Sequence, residues 1–451
     1  FTKDAEMDIE NDSDYSTMER IAQGVHSRKR GEPVRVIYDN KMPHDLQKKI
    51  MRRLNVRELD TLLGTERYQN HKDLMKFPSC GHKELKYESW PGLMKPEFLS
   101  ERSVFDEIRE KDRFIHVPYH SFNGYIRVLQ EAALRPEVKS IKTTLYRLAK
   151  DSKVVKCLIS AARNGKKVTA VVELLARFDE ESNIMWSKRM QEEGVNVIFG
   201  VEGLKIHSKL LLLETKKGNI ACVGTGNFHE GNAKIYTDYL MMTARPRIVN
   251  EVAKVFDFID RPFSQVRFRE LMVSPNSMKT RIMRYLDVEI ANTKAKKEAW
   301  VKIKINHITD VDVVRKLYEA STAGVKIEIL IRGNCSLVPG VKGLSENIRC
   351  VGIIDRYLEH SRILIFANGG NPRYFLGSAD WMPRNLNNRI EVMTPVFDAD
   401  LKKDLLRTIN YGLADTTNGR IVDGKGNNSL QQGEVFRSQE QLYKAYIDEQ
   451  K

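Results

Sequence analysis

The sequence Lys205-Ile-His-Ser-Lys209 runs into an apolar stretch, Leu210–Leu213, and then, past a polar turn, into Gly224-Thr-Gly-Asn227. Alternate residues of a strand face the same way, so His207 and Lys209 are expected to point together into one site. A loop of small residues after the next strand lets backbone N–H groups and the Asn227 amide approach an oxyanion closely. An imidazole beside a fixed positive charge suits attack on a phosphorus centre. A single His-x-Lys pair is more simply read as a surface pair, but here the pattern recurs. His360-Ser-Arg362 precedes the apolar run Ile363–Phe366, a polar turn and Gly377-Ser-Ala-Asp380. Asn227 and Asp380 each lie 20 residues past their histidine, and Gly224 and Gly377 each lie 17 past it.

The stretches upstream of the two motifs also repeat. Ile141–Leu145, a helical Val154–Arg163, Gly165 and the strand Val168–Leu174 correspond to Val301–Ile305, Val311–Thr322, Gly324 and Val325–Ile331. Such self-similarity predicts two homologous α/β halves, each giving one histidine to a site between them. Strands alternating with helices of about 12 residues argue for sheets covered by helices. In the first half, Arg147 and Arg177 fall just past the C-terminal ends of predicted parallel strands, where such folds place ligands. Their planar guanidinium groups match phosphate oxygens.

The expected division is 1–93 as a mixed scaffold region, 94–270 as the first half and 271–451 as the second. In the first region an acidic opening (Asp8–Asp14) leads to a helix over Met18–Arg30, a strand over Val34–Tyr38 and a helix over Asp45–Leu54. The second half is expected to end in a helix over Gln439–Glu449, after a Gly- and Asn-rich, mobile Asn418–Gly433. Cysteines 80, 157, 222, 335 and 350 show no C-x-x-C spacing, and three lie in apolar runs as small hydrophobes. The remaining histidines (26, 44, 71, 82, 116, 120, 229 and 307) lack ligand spacing and are mostly expected at the surface or as caps; no zinc site is predicted.

The chain has 451 residues, 41% of them hydrophobic, enough for a large core in two or three domains. It contains no run of about 18 apolar residues, which excludes an ordinary transmembrane helix. A net charge of +14 is for the most part that of a solvated surface; its functional reading is an anionic partner, whether nucleic acid, phospholipid or another polyanion, and composition does not choose among these. The opening Phe1-Thr-Lys-Asp-Ala-Glu carries neither an initiator Met nor a signal peptide and reads as the middle of something longer.

Several long blocks resemble the bacterial polyphosphate kinases that form a phosphohistidine and belong structurally with the phospholipase D superfamily. The carrying stretches are Ile141–Arg147, Val172–Glu180, Lys205–Lys209, Gly224–Phe228, Ile235–Asp238, Ile331–Gly333, Leu358–His360 and Gly377–Met382. The resemblance implies two phospholipase D-like α/β domains, with mixed sheets flanked by helices, plus a partial N-terminal α+β region of an N-terminally truncated chain. It implies reversible transfer of the ATP γ-phosphate to inorganic polyphosphate through His207. His360 would assist the departing group, and Lys209 and Asn227 would act beside His207. Tyr236, Arg332, His360 and Arg362 would contact the nucleotide. Arg147 and Arg177 match positions associated with Mg²⁺-bound phosphates; guanidinium is no metal ligand, so they are read as phosphate clamps adjoining the ion. The implied partners are Mg²⁺, ATP or ADP and polyphosphate, with no organic cofactor and no required nucleic acid. A homo-oligomer in the cytoplasm, with room for peripheral inner-membrane association, completes the expectation. Cys222 stands where some family members carry another histidine. Asp380 beside His360 is expected to favour its imidazolium form, a proton donor, whereas cations keep His207 neutral. Two other readings fit the motifs: a phospholipase D-like phosphodiesterase or nuclease, and a non-catalytic basic polyanion-binding module. Arg362 and Asp380 depart from the Lys and Asn usual in the former.

Overall fold

In the computed structural model the described residues are 2–3, 33–54, 56, 61–67, 74, 77–173, 180–201 and 203–450. The expected helix over Met18–Arg30, the acidic opening, His26, His71 and Arg177 lie outside them. The chain divides into two compact units, residues 1–89 and 90–451. Within the first, strand Pro33–Asp39 pairs in parallel with Thr61–Thr65, and helix His44–Arg53 lies between them in sequence.

The second unit holds two mixed sheets of matching design. In the first, Val138–Leu145 is central, parallel to Lys167–Val172 on one side and antiparallel to Lys209–Thr215 on the other. Ile220–Gly224 and Tyr236–Thr243 extend the sheet antiparallel. In the second sheet Trp300–Ile305 takes the central place, flanked by Lys326–Ile331 in parallel and Arg362–Phe366 antiparallel. Arg373–Gly377 and Arg389–Val396 then follow.

The local chemistry of the repeat explains the matching crossovers. Ser152 Oγ accepts from Val155 N at the start of helix Lys153–Arg163, and Asp310 accepts from Val313 N at the start of helix Val311–Thr322. Both helices stop at a glycine with positive φ, Gly165 (77°) and Gly324 (95°), where a side chain would be strained. The apolar runs behind each motif are buried on both faces. Ile363 and Ile365 face a core shared with Leu210, Leu212 and Val223 of the first half, while Leu364 and Phe366 face the second half's own helices. Helices Pro246–Asp260 and Ala399–Ala414, each following the last large strand of its half, complete the shared core; sequence reading assigned neither.

Two expectations need correction. The Asn418–Gly433 stretch is bonded rather than free: Gly419–Ile421 joins the second sheet, and buried Gln431 donates to the Leu413 and Asp415 carbonyls. His116 and His120 are buried rather than at the surface. His116 stacks on Tyr239 at 3.9 Å and its Nδ1 lies 2.8 Å from the Tyr446 hydroxyl; aromatic partners make an imidazole tolerable inside a core. His229 and His307 do cap backbone N–H groups, as expected.

Candidate active site

Each histidine is carried by a two-residue strand that belongs to the other half's sheet. Lys205–Ile206 pairs in parallel with Arg389–Ile390, and Leu358–Glu359 pairs in parallel with Tyr236–Thr237. His207 N and Ser208 N both donate to the Ile390 carbonyl, at 3.0 and 2.8 Å. His360 N donates to Thr237 Oγ1 at 3.2 Å. The exchange places each imidazole against a carboxylate from the opposite half.

His207 Nδ1 lies 2.9 and 3.0 Å from the Glu391 oxygens, and His360 Nδ1 lies 2.8 and 3.0 Å from those of Asp238. Glu391 is wholly buried and also accepts from Ser378 Oγ and from Asn385 Nδ2 (2.6 Å). Asp238 also accepts from Thr225 Oγ1 (2.6 Å). An ionised carboxylate only accepts, so these bonds assign the proton of each neutral imidazole to Nδ1 and the lone pair to Nε2. Burial holds both carboxylates' partners uncharged. His207 falls to about 3, chiefly through desolvation, against the pull of Glu391 and with Lys209 and Arg389 assisting. His360 falls to about 4 for the same first reason, against the pull of Asp238 and, more weakly, Asp380, with Arg362 assisting the fall. The paired imidazoles hold Glu391 and Asp238 below the usual carboxylate range, although burial alone would raise them.

This corrects the expected imidazolium at His360. Asp380 is engaged elsewhere: Arg362 Nη2 donates to its Oδ2 at 2.9 Å and Nε to its Oδ1 at 3.2 Å. Arg362 is buried, and its Nη1 reaches the His360 carbonyl at 2.8 Å and stands 3.2 Å from His360 Nε2. A fixed cation there favours the neutral ring.

The other expected residues gather unevenly. Lys209 is buried, donates through Nζ to the His207 carbonyl, and is pushed down to about 7 by desolvation. Tyr146 meets the His207 ring edge-on at 5.1 Å, and the Arg147 guanidinium lies 5.9 Å from the Tyr146 ring. Asn227 is half-buried, and its Oδ1 takes no hydrogen bond among the described residues. Tyr236 lies 5.0 Å from the His360 ring. Arg332 Nε donates to Asn306 Oδ1 at 3.2 Å, and Asn306 Nδ2 donates to the His360 carbonyl at 3.1 Å. Gly226 has a steric reason: a Cβ there would stand 1.9 Å from Asp238 Oδ2.

Sequence reading missed the roles of Asp238 and Glu391, although the signal was present. Each lies 31 residues past the histidine of its own half, which extends the repeat by one more chemically active position. Among the described residues no three His, Cys, Asp or Glu side chains are grouped to hold a metal ion. The nearby carboxylates of Asp238, Glu391 and Asp380 are committed to His360, His207 and Arg362. These side chains therefore do not form a Mg²⁺ cage.

No helix of the described residues is long and apolar enough to cross a membrane. Three successive family profiles match the chain: polyphosphate kinase middle domain over residues 1–77, C-terminal domain 1 over 103–265 and C-terminal domain 2 over 271–441. The polyphosphate kinase of Vibrio cholerae is 46% identical over 431 residues, covering 95% of this chain and 62% of that protein. That of Escherichia coli K12 is 44% identical over 431 residues, covering 94% of this chain and 62% of that protein. The crystal structure of polyphosphate kinase from Porphyromonas gingivalis superposes with a TM-score of 0.85 at 36% identity, covering 92% of this chain and 65% of that one. The chain thus spans a little under two thirds of these relatives' length, and on the profiles, the identity and the fold it belongs to the polyphosphate kinase family.

Proposed function

We propose that residues 94–270 and 271–451 form the catalytic halves of an ATP:polyphosphate phosphotransferase working through a phosphohistidine at His207. The observation that carries this reading is the pair of imidazoles, each held at Nδ1 by a buried carboxylate from the opposite half. Nε2 of His207 attacks the γ-phosphorus; the N–P bond forms as the bond to the β-bridging oxygen breaks, and ADP leaves with that electron pair. Positive charge developing on the ring is offset by Glu391. In the second step a terminal polyphosphate oxygen attacks phosphorus and the N–P electrons return to Nε2. Both steps are reversible, so the site also makes ATP from polyphosphate and ADP.

Lys209, Asn227, Arg147 and Arg177 are assigned to the transferring phosphoryl oxygens. Tyr236, Arg332 and Arg362 are assigned to the nucleotide side, Arg362 through its hold on the His360 carbonyl. His360 rests neutral, so its assistance to the leaving group requires a proton taken up with the anionic substrate, whose charge favours imidazolium. Mg²⁺ would arrive with the nucleotide phosphates, and no step is assigned to it. The net +14 suits a long polyanion bound without sequence preference. A cytoplasmic homo-oligomer, with peripheral membrane contact, remains part of the proposal.

Incubation with γ-labelled ATP tests it. Acid-labile, base-stable phosphate mapping to His207, and lost in His207→Ala, is the expected result. Label elsewhere, or undiminished in the variant, refutes the assignment.

A further inference from the structure

The two histidine strands differ in what lies immediately ahead of the imidazole. Before His207 stands Ile206, a buried apolar side chain; at the same place before His360 stands Glu359, a buried carboxylate. Burying a charge is costly unless it is paired and hydrogen-bonded. Glu359 is paired on one side and bonded on the other. Its Oε2 lies 2.9 Å from Nζ of Lys304, which is itself 2% exposed, and accepts from Thr237 Oγ1 at 3.1 Å. Its Oε1 accepts from Gln439 Nε2 at 2.7 Å.

Gln439 comes from the C-terminal helix, Ser438–Asp448, and has no solvent exposure. Besides Glu359, its amide receives the Tyr357 N–H at 2.9 Å and donates to the Tyr357 carbonyl at 2.9 Å. One side chain thus acts as the backbone partner of the strand's entry and as a donor to the residue before the histidine. Across that strand, Thr237 completes the clamp: its hydroxyl bonds Glu359 and receives His360 N–H, while its neighbour Asp238 holds His360 Nδ1. Lys304 also donates to Ser361 Oγ at 2.7 Å, on the other side of the histidine.

We propose that Gln439, acting through Glu359 and Lys304, is a positioning residue for His360, so that the C-terminal helix sets the geometry of one histidine and not the other. This rests on the reading of His360 as a site residue. Gln439→Met keeps the volume and removes every hydrogen bond of the amide. Displacement of His360 by about 1 Å is expected to lower turnover roughly 10²-fold, with KM changing much less. In the His360→Ala background the same change should cost nothing further, because residues acting through one another are non-additive. Tyr443→Phe, on the same helix but bonded to the Pro91 carbonyl instead, should leave turnover unchanged. If Gln439→Met fails to fold, Glu359→Gln with Lys304→Met removes the buried pair without stranding a charge and should give the same loss, again absent in His360→Ala. Losses that multiply with His360→Ala overturn the proposal. A readout independent of phosphoryl transfer is the ¹⁵N imidazole spectrum of the resting protein. Gln439→Met should shift the His360 resonances and leave those of His207 in place. Both sets unmoved overturns the proposal even if no phosphoryl transfer is found, whereas a His360 shift without any labelling refutes only the enzymatic reading.

Discussion

Replacing Glu391 by Gln isolates the electrostatic contribution of the buried carboxylate at His207. The substitution preserves shape, and the surrounding donors fix its orientation. Asn385 Nδ2 must face an acceptor, so the new amide oxygen stays on that side, within reach of His207 Nδ1. The Ser378 hydroxyl can rotate to accept from the amide nitrogen. The Nδ1–H tautomer therefore survives, and what is lost is negative charge 2.9 Å from a ring that becomes cationic on attack. Unit charges at that separation interact by about 5–6 kcal/mol at an effective dielectric of about 20. The amide dipole retains part of this, leaving a loss of about 3–5 kcal/mol, or roughly 10²–10⁴ in the phosphorylation rate. Rapid-quench labelling with γ-labelled ATP in a single turnover measures that step without product release. Thermal unfolding of the same variant checks that the buried network has not collapsed. A Glu391→Gln protein that folds normally and labels at the parent rate would refute the role given to Glu391.

Gly226→Ala should displace Asp238, since its Cβ would overlap the carboxylate, and should lower steady-state synthesis at least tenfold; polyphosphate synthesis assays decide it. Affinity for polyphosphate should weaken by orders of magnitude between about 50 and 200 mM salt, by analogy with nucleic acids, and a flat binding response would contradict a basic polyanion track. Both histidines have folded-state values near 3 and 4, below the unfolded value of about 6.5. The unfolded chain therefore binds more protons between about pH 6.5 and 4, and stability falls as pH falls through that window. The double variant His207→Ala/His360→Ala should lose less stability than the parent between pH 7.5 and 5, measured by denaturant unfolding at both pH values.

Much of this fold was legible because its determinants are local. The cap at Ser152 or Asp310, the glycine at 165 or 324 and the apolar runs behind each histidine repeat in the sequence and specify the same crossover twice. The helices Pro246–Asp260 and Ala399–Ala414 were less visible, although both bury apolar faces in the shared core. The buried histidines 116 and 120 were misread because nothing in their own neighbourhood announces Tyr446, more than 300 residues away, as a partner.

The site's electrostatics lay beyond local reading for a related reason. Membership of the same motif suggested Asp380 as the partner of His360, yet a histidine whose strand joins the opposite sheet meets that sheet's carboxylate. There the partner is Asp238, while Asp380 is left to neutralise Arg362. The repeat spacing of 31 identifies Asp238 and Glu391 as equivalent, but only the exchange of strands shows that each serves the other half's histidine. Neither half can then assemble a complete imidazole–carboxylate pair alone. Such an arrangement makes the site a property of the interface, where Lys209 and Arg362, or Ile206 and Glu359, meet different surroundings although they occupy the same positions of the repeat.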